Sequence, residues 1–236
     1  HLRRARELAD GAPARELAHL DAVQATLEGR WQAACRIWDE LLVDYPRDAL
    51  ALQWSQLWDF YRGDAVNLRA RPARALPEWD DSDPLYAHVL SLFAFGLEES
   101  NLYPQAEEVG RRALSLNPKV PWAVHAVAHV MEMQGRYEEG AAWLLQHQAE
   151  WAEGNGFSGH LQHVMFHAVP LLWRLHLLGE DMSVRCIQLV GGWDLCDAAA
   201  GYYAFNDVHA VMAMLGAGEV ARAEAWVARC AERAMA

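Results

Sequence analysis

Histidine side chains recur at helical spacing in the second half of this chain. Seven of the eleven histidines lie between His125 and His176, and two pairs are four residues apart, His125 with His129 and His163 with His167. Residues four apart lie on the same face of a helix. Two neutral imidazoles placed in this way can chelate a transition metal, and an imidazole beside a carboxylate can act as a general acid and base. A protonated imidazole beside a tryptophan can bind an anionic or peptide ligand.

Two metal-binding patterns are incomplete in this sequence. A zinc-protease helix carries Glu directly after its first His, whereas Ala126 follows His125. Glu16 and His19 have the Glu-x-x-His spacing of di-metal carboxylate bundles, but only one such motif is plain. Two explanations of the histidine pairs therefore stay open: they bind a metal or another ligand, or they are hydrogen-bonded groups of a helical interior.

A repeat of constant period supplies the helices that must position these groups. Gly63 follows Gly29, and Tyr137 follows Tyr103, at one common interval. That interval is about 34 residues, the period of a tetratricopeptide repeat, whose helical hairpins stack into a right-handed superhelix with a concave wall. The sequence therefore predicts an all-α, tetratricopeptide-repeat-like superhelix in a single domain over residues 1–236. Its hairpins are expected at roughly 15–48, 49–84, 85–120 and 121–154, followed by divergent helices over 156–236.

Small residues and prolines modify the packing of these hairpins. Helices approach closely where small residues lie between them, and the predicted close contacts are at Ala34, Ala106, Ala113 and Gly140. In the second hairpin, Pro72 and Pro77 are expected to interrupt the second helix, because proline lacks the amide hydrogen that a helix interior requires. Residues 77–84 are expected to form a loop.

The repeat register brings the polar groups to one wall of the superhelix. Counted back from Gly135, His125, His129 and Glu132 take positions 5, 9 and 12 of their helix. These positions lie within a narrow arc of one helix face, and in this type of repeat they line the concave groove. The predicted ligand-binding residues are Glu16, His19, Glu98, His125, His129, Glu132, His163, His167, Asp207 and His209. The predicted ligands of a divalent transition metal are His125, His129, His163 and His167.

Four segments carry a resemblance to a known family: FGLEESNLYPQAE, ALSLNP, HAVAHVMEMQGR and FNDVHAVMAMLGA. In these segments the chain resembles the tetratricopeptide repeat protein 38 family, as a bacterial-type member, from about Arg15 to about Gly218. The resemblance implies a fold and shared polar motifs without implying an activity. Family members carry further N-terminal residues, and also a helical segment that is missing here near Val169 and Pro170. The resemblance thus implies a deletion or an omitted segment at that junction.

Composition restricts the partners and the compartment. Acidic residues outnumber basic ones by 32 to 20, which gives a formal charge of −12 and disfavours binding to nucleic acid. Apolar stretches are too short for a membrane helix, so no membrane partner is expected. The four cysteines lie far apart without a CxxC pair, which favours a reducing, cytoplasmic compartment.

Two functions from different classes fit these observations. The first is binding of a small molecule or a peptide in a groove lined by His and Glu, as repeat superhelices commonly do. The alternative is a metal-dependent enzyme, a hydrolase or an oxidoreductase, that uses the same side chains. The sequence contains no glycine-rich phosphate loop and no GxSxG nucleophile motif.

Overall fold

The computed structural model describes residues 1–147, 169, 172–192, 200–201 and 203–235. All regular elements among these residues are helical, which confirms the all-α prediction for this part of the chain. The chain divides into two compact units, His1–Gly154 and Asn155–Ala236. None of the described helices combines the length and the apolar character that are needed to cross a membrane.

The first unit contains nine described α-helices. They are α1 (Leu2–Glu7), α2 (Ala14–Leu27), α3 (Trp31–Asp44), α4 (Ala49–Tyr61), α5 (Ala65–Ala75), α6 (Tyr86–Glu98), α7 (Tyr103–Leu116), α8 (Pro121–Met133) and α9 (Tyr137–Gln146). A 3-10 turn, Leu76–Glu78, follows α5. From α2 onward the helices contact each other in consecutive pairs, and α6 also packs against α8. This last contact positions the candidate site.

The same left-handed turn ends helices α2, α4, α6 and α8. The left-handed residues are Gly29, Gly63, Asn101 and Gly135, with φ of 71°, 68°, 60° and 71°. In each turn the next backbone nitrogen donates to the carbonyl five residues earlier, which satisfies a carbonyl that the helix end leaves open. The interval from Gly63 to Asn101 is longer than the intervals on either side of it. The 3-10 turn and the loop before α6 lie within this longer interval.

Small residues allow close helix contact at most of the predicted positions. Ala34, Ala106 and Ala113 are fully buried. Gly110 lies even closer to its neighbour, since a Cβ added there would lie 2.6 Å from Cγ2 of Val127. Gly140 differs from the prediction: an added Cβ would lie at an ordinary 3.5 Å from its nearest neighbour atom. The glycine at position 140 is therefore not required for close packing.

Helix α5 continues through Pro72 to Ala75, so the expected interruption at Pro72 is wrong. A proline within a helix leaves the carbonyl four residues earlier without its usual donor, which here is the carbonyl of Leu68. The Gln56 side-chain amide donates to this oxygen at 3.4 Å and to the Leu92 carbonyl at 2.5 Å. A contact from another helix thus replaces part of the bond that Pro72 removes. Pro77 lies in the 3-10 turn that follows α5, and residues 79–85 are irregular, in keeping with the loop expected at 77–84.

The described residues of the second unit form a helical segment at residues 172–177 and three longer helices. These are α10 (Ser183–Gly192), α11 (Ala204–Gly216) and α12 (Val220–Ala234). Helix α11 packs against both α10 and α12. The turn between α11 and α12 repeats the left-handed form at Gly218, with φ of 78°. Ala210, Met214 and Trp226 belong to the buried core of this unit.

Candidate functional site

The predicted site residues fall into three groups in the structure. Glu16, His19, Glu98, His125, His129 and Glu132 belong to the first unit, and Asp207 and His209 belong to the second. His163 and His167 lie outside the described residues. Of the four predicted metal ligands, the structure therefore places His125 and His129.

His19 forms part of a network that joins α2, α3 and the start of α4. Its Nε2 lies 3.0 Å from Asp48 Oδ2, and the Trp38 indole donates to its Nδ1 at 3.3 Å. Because Nδ1 accepts from the indole, Nε2 carries the proton and donates to Asp48. Both ring nitrogens are therefore engaged. In this arrangement His19 connects helices and has no nitrogen available for a ligand.

Asp48 is the centre of this network. Its side chain is fully buried and caps α4 by accepting the backbone N–H of Ala51 at 2.8 Å. Burial raises the pKa of the Asp48 carboxyl, but hydrogen bonds from His19, the Ala51 amide and Arg15 outweigh it and hold that pKa well below its ordinary value. Arg15 Nε donates to the same carboxylate at 2.6 Å. Glu16 lies beside Arg15 on the exposed surface.

The two candidates in the second unit, Asp207 and His209, form hydrogen bonds to neighbouring groups of the same unit. Asp207 Oδ1 accepts the Trp226 indole N–H at 2.9 Å and the Gly201 backbone N–H at 3.0 Å. His209 Nδ1 donates to the Phe205 carbonyl at 2.6 Å, one helical turn earlier. Both residues are buried. These contacts give Asp207 and His209 structural partners within their own unit.

The remaining candidates meet where α6 packs against α8. Side chains three, four or seven residues apart lie on one helix face, which gathers residues 95, 98 and 99 on α6 and residues 122, 125 and 129 on α8. We call this set the α6–α8 cluster: Phe95, Glu98, Glu99, Trp122, His125 and His129. Glu132 belongs to the next turn of α8 and is exposed. The structure thus places Glu98, His125 and His129, three of the residues that the register assigned to one wall, in the same cluster.

Aromatic rings form one wall of the cluster. The ring centroids of His125 and His129 are 4.3 Å apart. The His125 ring also lies 4.8 Å from Trp122 and 5.6 Å from Phe95. Such a wall limits the access of water and strengthens electrostatic interactions beside it.

Glu98 and His129 form the charged centre of the cluster. Glu98 is only 4% exposed, and its Oε2 lies 3.6 Å from His129 Nδ1. That oxygen accepts no hydrogen bond from the described residues. Burial lowers the pKa of His129, but the carboxylates of Glu98, Glu132 and Glu99 outweigh burial and raise it. The cluster thus contains an imidazole whose charged form is stabilised by buried acid.

Glu99 is the site residue that the sequence reasoning missed, together with the ring wall of Phe95 and Trp122. Glu99 is half-buried, and burial and the charge of Glu98 raise the pKa of its carboxyl. One donor atom from each of Glu98, Glu99 and His129 lies within 4.8 Å of the other two. A signal was present in the sequence, because two successive carboxylates at a helix C-terminus oppose the helix dipole and call for a nearby cation.

A second charged region lies between α3 and α5, and its charges are already paired. Arg71 donates to Asp59 from Nε and Nη2 at 3.1 and 2.8 Å, and it also contacts Asp39. Arg74 pairs with the same Asp39 at 2.7 Å. A shallow depression lies over these groups. The paired charges make this region a structural network and leave the α6–α8 cluster as the candidate site.

The cluster can perform two kinds of chemistry with the groups it contains. An imidazole beside a carboxylate can transfer a proton, and carboxylates with an imidazole can bind a cation. A comparison of the chain with models of known protein families found no match. The interpretation of the site therefore depends on its own geometry.

Proposed function

We propose that this chain forms a tetratricopeptide-repeat-like right-handed superhelix whose α6–α8 cluster binds a small molecule or a peptide. In this proposal α2, α4, α6 and α8 are the first helices of four hairpins and line the concave wall. The repeated left-handed turns support it, since one repeat period separates Gly29 from Gly63 and also Asn101 from Gly135. The packing of each second helix against the first helix of the next hairpin also supports it.

The resemblance to the tetratricopeptide repeat protein 38 family supports the same fold. The resemblance implies no activity, so the evidence for a function comes from the α6–α8 cluster. The proposal includes a cytoplasmic location, in keeping with the separate, free thiols of Cys35, Cys186 and Cys230. It excludes nucleic acid as a partner, because the formal charge of −12 opposes a phosphate backbone.

One observation carries the binding function. Glu98 is buried, yet its Oε2 accepts no hydrogen bond from the described residues. The nearest charged neighbour of this oxygen, His129 Nδ1, lies at 3.6 Å, beyond hydrogen-bond distance. A buried carboxylate oxygen that accepts no hydrogen bond costs free energy, and natural proteins keep few such atoms. A ligand that donates to this oxygen would remove that cost. The rings of Trp122 and His125 supply apolar contact area beside it.

Equilibrium dialysis tests this proposal. The protein, both after chelator treatment and with divalent metal ions added, is dialysed against a pool of pentapeptides and polar metabolites, and the retained compounds are identified by mass spectrometry. We expect retention by the wild type, and loss of retention in His125→Ala and Glu98→Gln. Glu108→Gln is the matched control, because Glu108 is an exposed residue of the neighbouring α7 and the substitution removes the same charge. Equal retention by all four proteins, or no retention by the wild type, would contradict the proposal.

An enzyme is the second candidate, as a hydrolase or an oxidoreductase acting through the same cluster. The specific observation in its favour is the pair of Glu98 and His129, whose nearest atoms are 3.6 Å apart inside a partly apolar site. A buried imidazole and carboxylate at this distance can act together as an acid and a base. Turnover of a retained metabolite, lost in His129→Gln, would favour this candidate over binding alone.

A further inference from the structure

The α6–α8 cluster brings together three side chains of the types that bind metals. The sequence reasoning named only one of them as a metal ligand. One donor atom from each of Glu98, Glu99 and His129 lies within 4.8 Å of the other two. We infer that these three side chains bind one divalent first-row transition ion. The inference rests on the proposed function, because it assigns a ligand class to the same cluster.

The distance between Glu98 and His129 fits two ligands of one shared ion better than it fits a direct hydrogen bond. Glu98 Oε2 and His129 Nδ1 are 3.6 Å apart, which is longer than a hydrogen bond between nitrogen and oxygen. Two ligands that each lie about 2.1 Å from one tetrahedral ion are about 3.4 Å apart. The two donor atoms are thus already close to the spacing that a shared ion imposes.

The position of Glu98 supplies an independent argument. Its Oε2 is buried and accepts no hydrogen bond from the described residues, and Glu98 is the last residue of α6. The negative end of the helix dipole disfavours a carboxylate there. Glu99 adds a second carboxylate directly after it. A divalent cation would offset both carboxylates and the helix end together.

Glu99 completes the donor set and can adjust to an ion. Its donor atom is within 4.8 Å of the other two, so a movement of at most roughly 1.5 Å brings it to the spacing of two ligands on one ion. The side chain is half-buried, so it is less tightly enclosed than that of Glu98. An imidazole with two carboxylates suits Mn²⁺, Fe²⁺ or Zn²⁺.

The surroundings also fit a bound ion with open coordination positions. Three protein ligands leave at least one position for water or for a polar group of a small ligand. Phe95 and Trp122 lie beside the imidazoles and form an apolar border that limits water access. The metal would then be the direct partner of the protein, and the small molecule or peptide would bind partly through it.

Metal titration of the full chain tests the inference. Chelator-treated protein is titrated with MnCl₂, followed by electron paramagnetic resonance of the free ion, and with ZnCl₂, followed by calorimetry. Manganese is the decisive probe, because sites made only of surface histidines bind zinc far better than manganese. We expect one equivalent of Mn²⁺, with affinity at least tenfold weaker in Glu99→Gln and in Glu98→Gln. Glu108→Gln, which removes an exposed carboxylate, should bind as the wild type does.

Two outcomes would overturn the inference: no stoichiometric binding of Mn²⁺ or Zn²⁺, or binding that Glu99→Gln leaves unchanged. Glu99→Gln keeps the test valid if Glu98→Gln does not fold, because Glu99 is only half-buried. The two proposals can fail separately. If no metal binds but chelator-treated protein still retains compounds in the dialysis, the proposed function stands and the metal site is refuted. If metal binds but no compound is retained, the metal site stands and the proposed function is refuted.

Discussion

Gly96 offers a sharp test of the packing that holds the candidate site. It lies in α6 between Phe95 and Glu98, and an added Cβ would lie 2.5 Å from the Leu68 carbonyl oxygen and 2.6 Å from Arg69 Cα. Both are backbone atoms of α5, so neither can rotate away. Gly96→Ala must therefore push α5 and α6 apart.

The size of the effect follows from two opposing contributions. Alanine is favoured over glycine in a helix interior by about 1 kcal/mol. Inserting a methyl group into a packed contact costs about 1–3 kcal/mol, and the upper end applies because only backbone shifts relieve the overlap. We expect Gly96→Ala to lower the free energy of unfolding by about 2 kcal/mol.

Gly140→Ala is the matched control within the same unit. Gly140 is also helical, but its added Cβ would meet Met131 Cβ at an ordinary 3.5 Å. Only the helix preference then changes, so we expect this variant to gain up to about 1 kcal/mol. Urea unfolding, followed by circular dichroism and tryptophan fluorescence, measures both variants. The reasoning is refuted if Gly96→Ala is as stable as the wild type, or if the two variants change stability in the same direction.

Two further predictions concern buried carboxylates. The pKa of Asp48 is lower in the folded protein than its ordinary value of about 3.9, so its ionised form contributes stability above that pH and the contribution is lost as the pH falls below it. Asp48→Asn should therefore flatten the fall of stability below about pH 4 in urea unfolding at a series of pH values; an unchanged slope would contradict this. Trp226→Phe removes the indole that donates to Asp207, and the lost bond to a charged acceptor should destabilise α11 by about 1–3 kcal/mol. Hydrogen exchange of the α11 amides measures this, and unaltered protection would show that the bond contributes nothing.

The helical hairpins could be predicted because their signals are local and periodic. Glycine readily adopts a positive φ, so Gly29, Gly63 and Gly135 mark the turns directly. Asn101 takes the same conformation in place of glycine, as asparagine can. The continuation of α5 through Pro72 could not be predicted in this way, since the compensating amide comes from Gln56 on another helix.

The candidate site was predictable only where one helix or the repeat register fixes the geometry. His125 and His129 share a face of α8, and the register adds Glu98 from α6. The roles of His19 and Asp207 depend on partners from other helices. The pattern of residue types along the sequence therefore did not indicate these roles. Glu99 falls outside the predicted groove positions. The sequence shows only that it follows Glu98, and its proximity to His129 depends on the tertiary contact between α6 and α8.

Gln56, Pro72 and Gly96 are physically coupled through one backbone oxygen, the carbonyl of Leu68. Proline and glycine are the residues that a helix interior tolerates least. Here Pro72 leaves the Leu68 carbonyl without its helical donor, and Gly96 lets α6 approach that carbonyl closely. The side chain of Gln56 then donates to the same oxygen. An ordinary residue at position 72 would return an N–H donor to that carbonyl, and the buried amide of Gln56 would then have to share this acceptor. Related sequences are therefore expected to exchange these three positions together, as a covarying triplet spread over three helices.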